Sequence, residues 1–148
     1  MVLAIRVIRL EPLEEPKVEE SSTANEPDSA DRRSRLGDAR VQIGQLDEAI
    51  EEYQKSIELD PQNAQRHFKI GLVYQSLGRF EDALGAYQQA TRLEPQSAWA
   101  HAAVSIVHAK MGNQDAALAE YQVVKNLNVE LAKGVLEVLG RYGGVHDV

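Results

Sequence analysis

Apolar side chains recur along most of this chain at spacings of three and four, the signature of helices with one buried face. Within 64–77, His67, Ile70, Tyr74 and Leu77 fall at i, i+3, i+7 and i+10. Within 80–93, Phe80, Ala83, Leu84, Tyr87, Ala90 and Leu93 trace a second stripe. Gly78 separates the two, and Pro95, which lacks a backbone donor, closes the second. Asn63 and Ser97 stand where the following helix needs an N-cap. Leu36, Arg40 and Ile43 begin a weaker version in 30–43, and His101, Val104, His108 and Met111 mark the expected inward face of 98–111. The pattern predicts pairs of helices joined alternately by glycine and proline turns.

The pairs repeat. Ala49, Ala83 and Ala117 are 34 residues apart, and the same interval relates Gly44, Gly78 and Gly112, and Tyr53, Tyr87 and Tyr121. Laying 30–63 over 64–97 matches Ala30, Arg32, Gly37, Gly44, Ala49, Tyr53, Gln54, Leu59, Pro61 and Gln62 with identical residues. A period shared by several columns marks a stack of like units, each burying its face against the next. Composition agrees with helices: only 5% of the 148 residues are aromatic and 43% are apolar, with Ala and Leu abundant. An all-α class follows.

With the period established, Leu36-Gly37, Ile70-Gly71-x-x-Tyr74, Asp47-Glu48-Ala49-Ile50, Glu81-Asp82-Ala83-Leu84, Leu59-Asp60-Pro61 and Leu93-Glu94-Pro95 resemble the columns of tetratricopeptide repeats. Units 30–63 and 64–97 fit well, whereas 98–131 is degenerate, with Ser105 in the glycine column and Val129 in the proline column. The resemblance implies a right-handed α-solenoid of about three antiparallel helix pairs, a non-catalytic scaffold for protein partners. Gly37, Gly71 and Ser105, with Ala49, Ala83 and Ala117, would remove bulk where paired backbones cross, and the tyrosines are expected between neighbouring units. Leu131, Val135, Val138, Leu139 and Tyr142 predict a capping helix over 129–142.

Outside the repeats, 11–29 carries three prolines and seven acids against one base, so 1–29 reads as a tail with a disordered acidic linker. Residues 143–148 read as a disordered end. Met1–Leu10 is apolar but interrupted by Arg6 and Arg9, a poor secretion signal. No run approaches the roughly 18 apolar residues of a membrane helix, and a cytoplasmic location is expected.

Some apolar residues lie off the core stripe. Phe68 and Leu72 share a second face of 64–77, as do Trp99, Ala103 and Ile106 of 98–111. A helix apolar on two sides is buried twice or binds something. In the resembled family the first helices of each pair line a groove for a peptide or helix. Its register puts Arg35, Asp38 and Gln42, then Phe68, Lys69, Leu72 and Gln75, then Trp99, Ala102, Ala103, Ile106 and Lys110 on that groove. One subset of the family clamps a chaperone's C-terminal carboxylate with Lys and Asn. The matching positions here hold Ser34, Asp38, Lys69, Trp99 and Ala103, so that ligand is not expected. An amphipathic helix, or a peptide with an apolar anchor, suits these residues better. Two alternatives stand beside this one: a regulatory or substrate-holding subunit of an enzyme complex, and self-association through Met1–Leu10.

Net charge is −7, which disfavours nonspecific attraction to nucleic acid or an anionic membrane. Arg32, Arg33, Arg35 and Arg40 face an acidic 47–60, an arrangement read as pairing within the fold. The chain has no cysteine, excluding disulfides and thiolate chemistry. His67, His101 and His108 lack converging ligands and read as packing residues, so no metal or cofactor is expected. Ser105 and His108 share a face without an acid to orient the imidazole, adjacent Glu51 and Glu52 diverge on a helix, and no strand precedes Gly140, Gly143 and Gly144. No catalytic residue is predicted.

Overall fold

The structure, a computed structural model, describes residues 28–143. The expected linker, the Met1–Leu10 segment and the expected end 143–148 lie outside the described residues, apart from Asp28, Ser29 and Gly143, the last of which belongs to a helix. The described residues form seven helices and no strand: α1 (Ala30–Gln42), α2 (Leu46–Leu59), α3 (Ala64–Ser76), α4 (Phe80–Leu93), α5 (Ala98–Lys110), α6 (Gln114–Leu127) and α7 (Val129–Gly143). The pairs α1–α2, α3–α4 and α5–α6 stack in sequence through α2 on α3 and α4 on α5, while α7 packs on both α5 and α6. This is an all-α helical-repeat solenoid.

Each turn follows from its residues. Gly44, Gly78 and Gly112 have φ of 78°, 73° and 80°, the left-handed conformation in which a Cβ is strained. There the chain closes the first helix of each pair: Gly44 N–H donates to Val41 O at 3.0 Å and Gln45 N–H to Arg40 O at 2.9 Å. At the other end of the pairs, Asn63 Oδ1 accepts from Gln65 N–H and Ser97 Oγ from Ala100 N–H, capping α3 and α5 as predicted. Ser29, placed in the tail by the sequence reading, caps α1 through Arg32 N–H.

Tyr53 and Tyr87 join the cluster that spans neighbouring units, as expected, and they also fill a space within their own pair. A Cβ on Gly37 would sit 2.7 Å from Tyr53 Cε1, and one on Gly71 would sit 2.5 Å from Tyr87 Cε1. Each ring therefore occupies the space that the glycine of its own pair vacates. The degenerate unit solves the same crossing differently: buried Ser105 donates from Oγ to Ala117 O at 2.7 Å across α5 and α6.

Two expected core faces shift. In α3, Ile70 and Tyr74 are buried and are joined by Val73, but Leu77 is exposed and His67 half-buried. His67 is no hydrophobic filler: its Nε2–H donates to Pro61 O at 2.9 Å, and His101 does the same to Pro95 O, also placing Nδ1 2.6 Å from Glu120 Oε2. These histidines staple the proline turn to the helix that follows it. In α5 the face is far wider than predicted, because α4, α6 and α7 surround it; Ala100, Ala102, Ala103, Val104, Ser105, Val107 and Ala109 are all buried.

Charges pair within the array. Arg33 donates to Glu52 at 2.9 Å and to Asp28, joining α1 to α2. Burial pushes the Glu52 carboxyl up, but hydrogen bonds from Arg33 and Lys55 outweigh it and leave the group below its ordinary value. Arg66, 5% exposed, joins Asp31 of α1 at 2.5 Å and Asp60 in the turn between α2 and α3, so a buried guanidinium ties the first unit to the second.

Candidate partner-binding groove

The first helices α1, α3 and α5 carry the residues that the repeat register assigns to a groove. Between α1 and α3 lies a depression of about 470 Å³ lined by Asp38, Val41, Gln42, Tyr53, Lys69, Leu72 and Val73. Between α3 and α5 lies another of about 370 Å³, lined by Ala64, Gln65, Phe68, Ala90, Glu94, Ser97, Trp99 and Ala100. Trp99 at 66% is the most exposed large apolar side chain among the described residues, and Leu72 is 45% exposed, whereas the crossing alanines Ala49, Ala83 and Ala117 are fully buried. Phe68 is half-buried, its ring centroid 5.4 Å from that of Tyr87, so it belongs both to the core and to the wall of the second depression.

Lys69, Asp38, Gln75 and Lys110 on this face are already engaged. Lys69 Nζ lies 2.7 Å from Asp38 Oδ2, and Asp38 Oδ1 accepts from the Tyr53 hydroxyl at 2.6 Å. Burial, followed by that carboxylate, pushes the Tyr53 phenol well above its ordinary value. Gln75 Oε1 accepts from the Tyr87 hydroxyl at 3.0 Å. Lys110 Nζ stands 5.5 Å from the Phe80 ring centroid and 5.9 Å from that of Tyr142. Arg35 and Gln42 are exposed.

Three residues expected on the groove are taken up by the array. Ala102 is 3% exposed and packs with Ala132, Val135 and Leu139 of α7; Ala103 is 8% exposed and belongs to the cluster of Ile70 and Val73; Ile106 leans on the α7 cluster. The cap helix packs on the first helix of the preceding pair as well as on the second, so it covers Ala102 and Ile106, which the register assigned to a partner. The sequence reading missed Val41 and Glu94, which line the two depressions. Val41 was legible as an apolar residue off the weak Leu36–Arg40–Ile43 stripe. Glu94 lies in a turn and carried no signal.

Residues 37–78 and 74–112 match the family model described as TPR repeat. The chain belongs to the tetratricopeptide-repeat family. The match ends at the glycine turn of the third pair, leaving out α6 and α7. Among solved structures, MamA of AMB-1 is similar at 30% identity and a TM-score of 0.65, over 77% of this chain and 64% of that one. MamA of MSR-1 is similar at 29% identity and 0.66, over 75% and 64%. This chain therefore spans slightly under two-thirds of those MamA chains. The first TPR of Spaghetti (RPAP3), bound to the HSP90 peptide SRMEEVD, shares the fold with a TM-score of 0.71 at 22% identity, over 76% of this chain and 91% of that one. No curated protein matches. Tetratricopeptide repeats are typically non-catalytic, and the fold of this chain is that of a protein–protein interaction module. Among the described residues no helix is long and apolar enough to cross a membrane.

Proposed function

We propose that this tetratricopeptide-repeat domain is a scaffold that captures a partner segment along α1, α3 and α5, using apolar anchors. The observation that carries this reading is the exposure of Trp99 and Leu72 beside two depressions, the first of which has Lys69, Asp38 and Tyr53 already paired with one another. Aromatic side chains held on rigid helices are favoured anchors for partners, and burying such a ring on binding contributes about 1.5–3 kcal/mol. An amphipathic helix or an extended segment with large apolar side chains fits these features.

A C-terminal carboxylate of the HSP90 type, as in the RPAP3 complex, does not fit. Lys69 is the one cation at the clamp positions, and Asp38, itself at a clamp position, neutralises it at 2.7 Å. An incoming carboxylate would meet Asp38 as well as Lys69, so attraction and repulsion would largely offset.

The test is affinity capture from a native extract with wild type and the variant Leu72→Glu/Trp99→Glu side by side. Both positions are exposed, so the variant should keep its helicity while losing the partners. Phe68 is left intact because its contact with Tyr87 would confound binding with stability. Equal capture by the two proteins, with circular dichroism unchanged, would reject the groove.

A further inference from the structure

We propose that the depression between α3 and α5 is a docking site for the chain's own segment Met1–Leu10, delivered in cis by residues 11–27. The proposal rests on the groove reading only in that it uses part of the same surface.

The chemistry of the depression selects its occupant. Phe68 and Trp99 supply an apolar wall, while Glu94 places a carboxylate on the lining, and no described cation forms an ion pair with it. Such a site favours an apolar side chain adjacent to a cation, which can pair with the carboxylate and lie over the indole face. Ile5-Arg6-Val7-Ile8-Arg9-Leu10 supplies that combination twice. The acidic stretch that follows it does not, and in a chain of net charge −7 it would be repelled by Glu94.

Geometry favours delivery by the same chain. The depression is lined by residues at the start of α3 and the start of α5, namely Ala64, Gln65 and Trp99. The start of α1 lies on the same edge of the array, since Asp31 in its first turn reaches Arg66 in the first turn of α3 at 2.5 Å. With neighbouring helix axes about 8–10 Å apart, the depression is roughly 20 Å from Ala30. The residues between Leu10 and Asp28 extend to as much as roughly 55 Å, so the segment reaches the site without strain. A tether of this kind holds its end at an effective concentration of about a millimolar, enough to populate a weak contact.

Trp99 is the chain's only tryptophan, so its fluorescence reads the site directly in the full-length protein. Acrylamide quenching of Trp99 is compared in wild type, Arg6→Glu/Arg9→Glu, Glu94→Lys, and the combination of all three. Charge reversal on either side should raise the quenching constant about twofold, and the combination should bring it back. Wild-type quenching should not change over an approximately hundredfold dilution, as expected of a tethered contact. Identical quenching in wild type and Arg6→Glu/Arg9→Glu overturns the proposal. Quenching that rises on dilution overturns it too, by showing that a second copy is the occupant. Loss of outside partners in the Leu72→Glu/Trp99→Glu variant is independent of both results, so either reading can fail alone.

Discussion

Gly71→Ala and Gly85→Ala make the same chemical change on adjacent helices and should act with opposite sign. Alanine is intrinsically better than glycine in a helix interior by about 0.8–1.0 kcal/mol. At Gly85 nothing lies within 4 Å of the new Cβ, so the full gain should appear. At Gly71 the Cβ would stand 2.5 Å from Tyr87 Cε1 and 2.7 Å from Cδ1. That ring cannot swing aside: it is fully buried, touches Phe68 at 5.4 Å between centroids, and donates its hydroxyl to Gln75. Overpacking of a filled core costs about 1–3 kcal/mol, and a contact this short between rigid groups belongs at the upper end. Offset by the propensity gain, Gly71→Ala should destabilise by about 2 kcal/mol. Urea unfolding followed by circular dichroism measures both variants. A Gly71→Ala midpoint at or above that of Gly85→Ala would show that the glycine column does not exist to seat the tyrosine.

Three further outcomes follow from the same geometry. Gly78→Ala should cost about 1–2 kcal/mol in urea unfolding through its φ of 73° alone, because no neighbour lies within 4 Å of the added Cβ. Asp60→Asn should destabilise by about 2 kcal/mol, whereas Arg66→Met should cost less. The first leaves a buried guanidinium with the exposed Asp31 as its remaining ion-pair partner, while the second removes the buried charge and leaves two aspartates that water can reach. Thermal melts of the two variants compare them. Finally, burial holds the Tyr53 and Tyr87 phenols above their ordinary value, with Asp38 adding to the effect at Tyr53. Raised values in the folded state give stability that is complete below pH of about 10 and is lost as pH rises through them. Absorbance at the phenolate band should therefore show both groups silent until the helices unfold; early, reversible titration of all five tyrosines would contradict it.

The period, the glycine turns, the Asn63 and Ser97 caps and the all-α class were legible because each rests on a local requirement. Positive φ demands glycine, and an N-cap demands a short polar side chain. What was not legible depended on neighbours. The sequence of α5, AWAHAAVSIVHAK, is apolar on every side, so periodicity cannot say which face is inward. The position of α7 decides it, covering Ala102 and Ile106 and leaving Trp99 outside. The role of His67 and His101 was hidden because their partners are backbone carbonyls, which every sequence supplies. Tyr53 and Tyr87 were recognisable as packing residues, but the 34-residue period cannot distinguish a contact within a unit from one between units.

Photo-crosslinking locates the partner-binding surface on the array. A photoreactive residue is placed singly at Leu72 or Trp99 on the first helices, and at Gln88, exposed on α4, as the outer-face control. Partners from a native extract should be captured from the first two positions and not from the third. Crosslinks that arise mainly from Gln88 would contradict it and move the binding surface to the second helices.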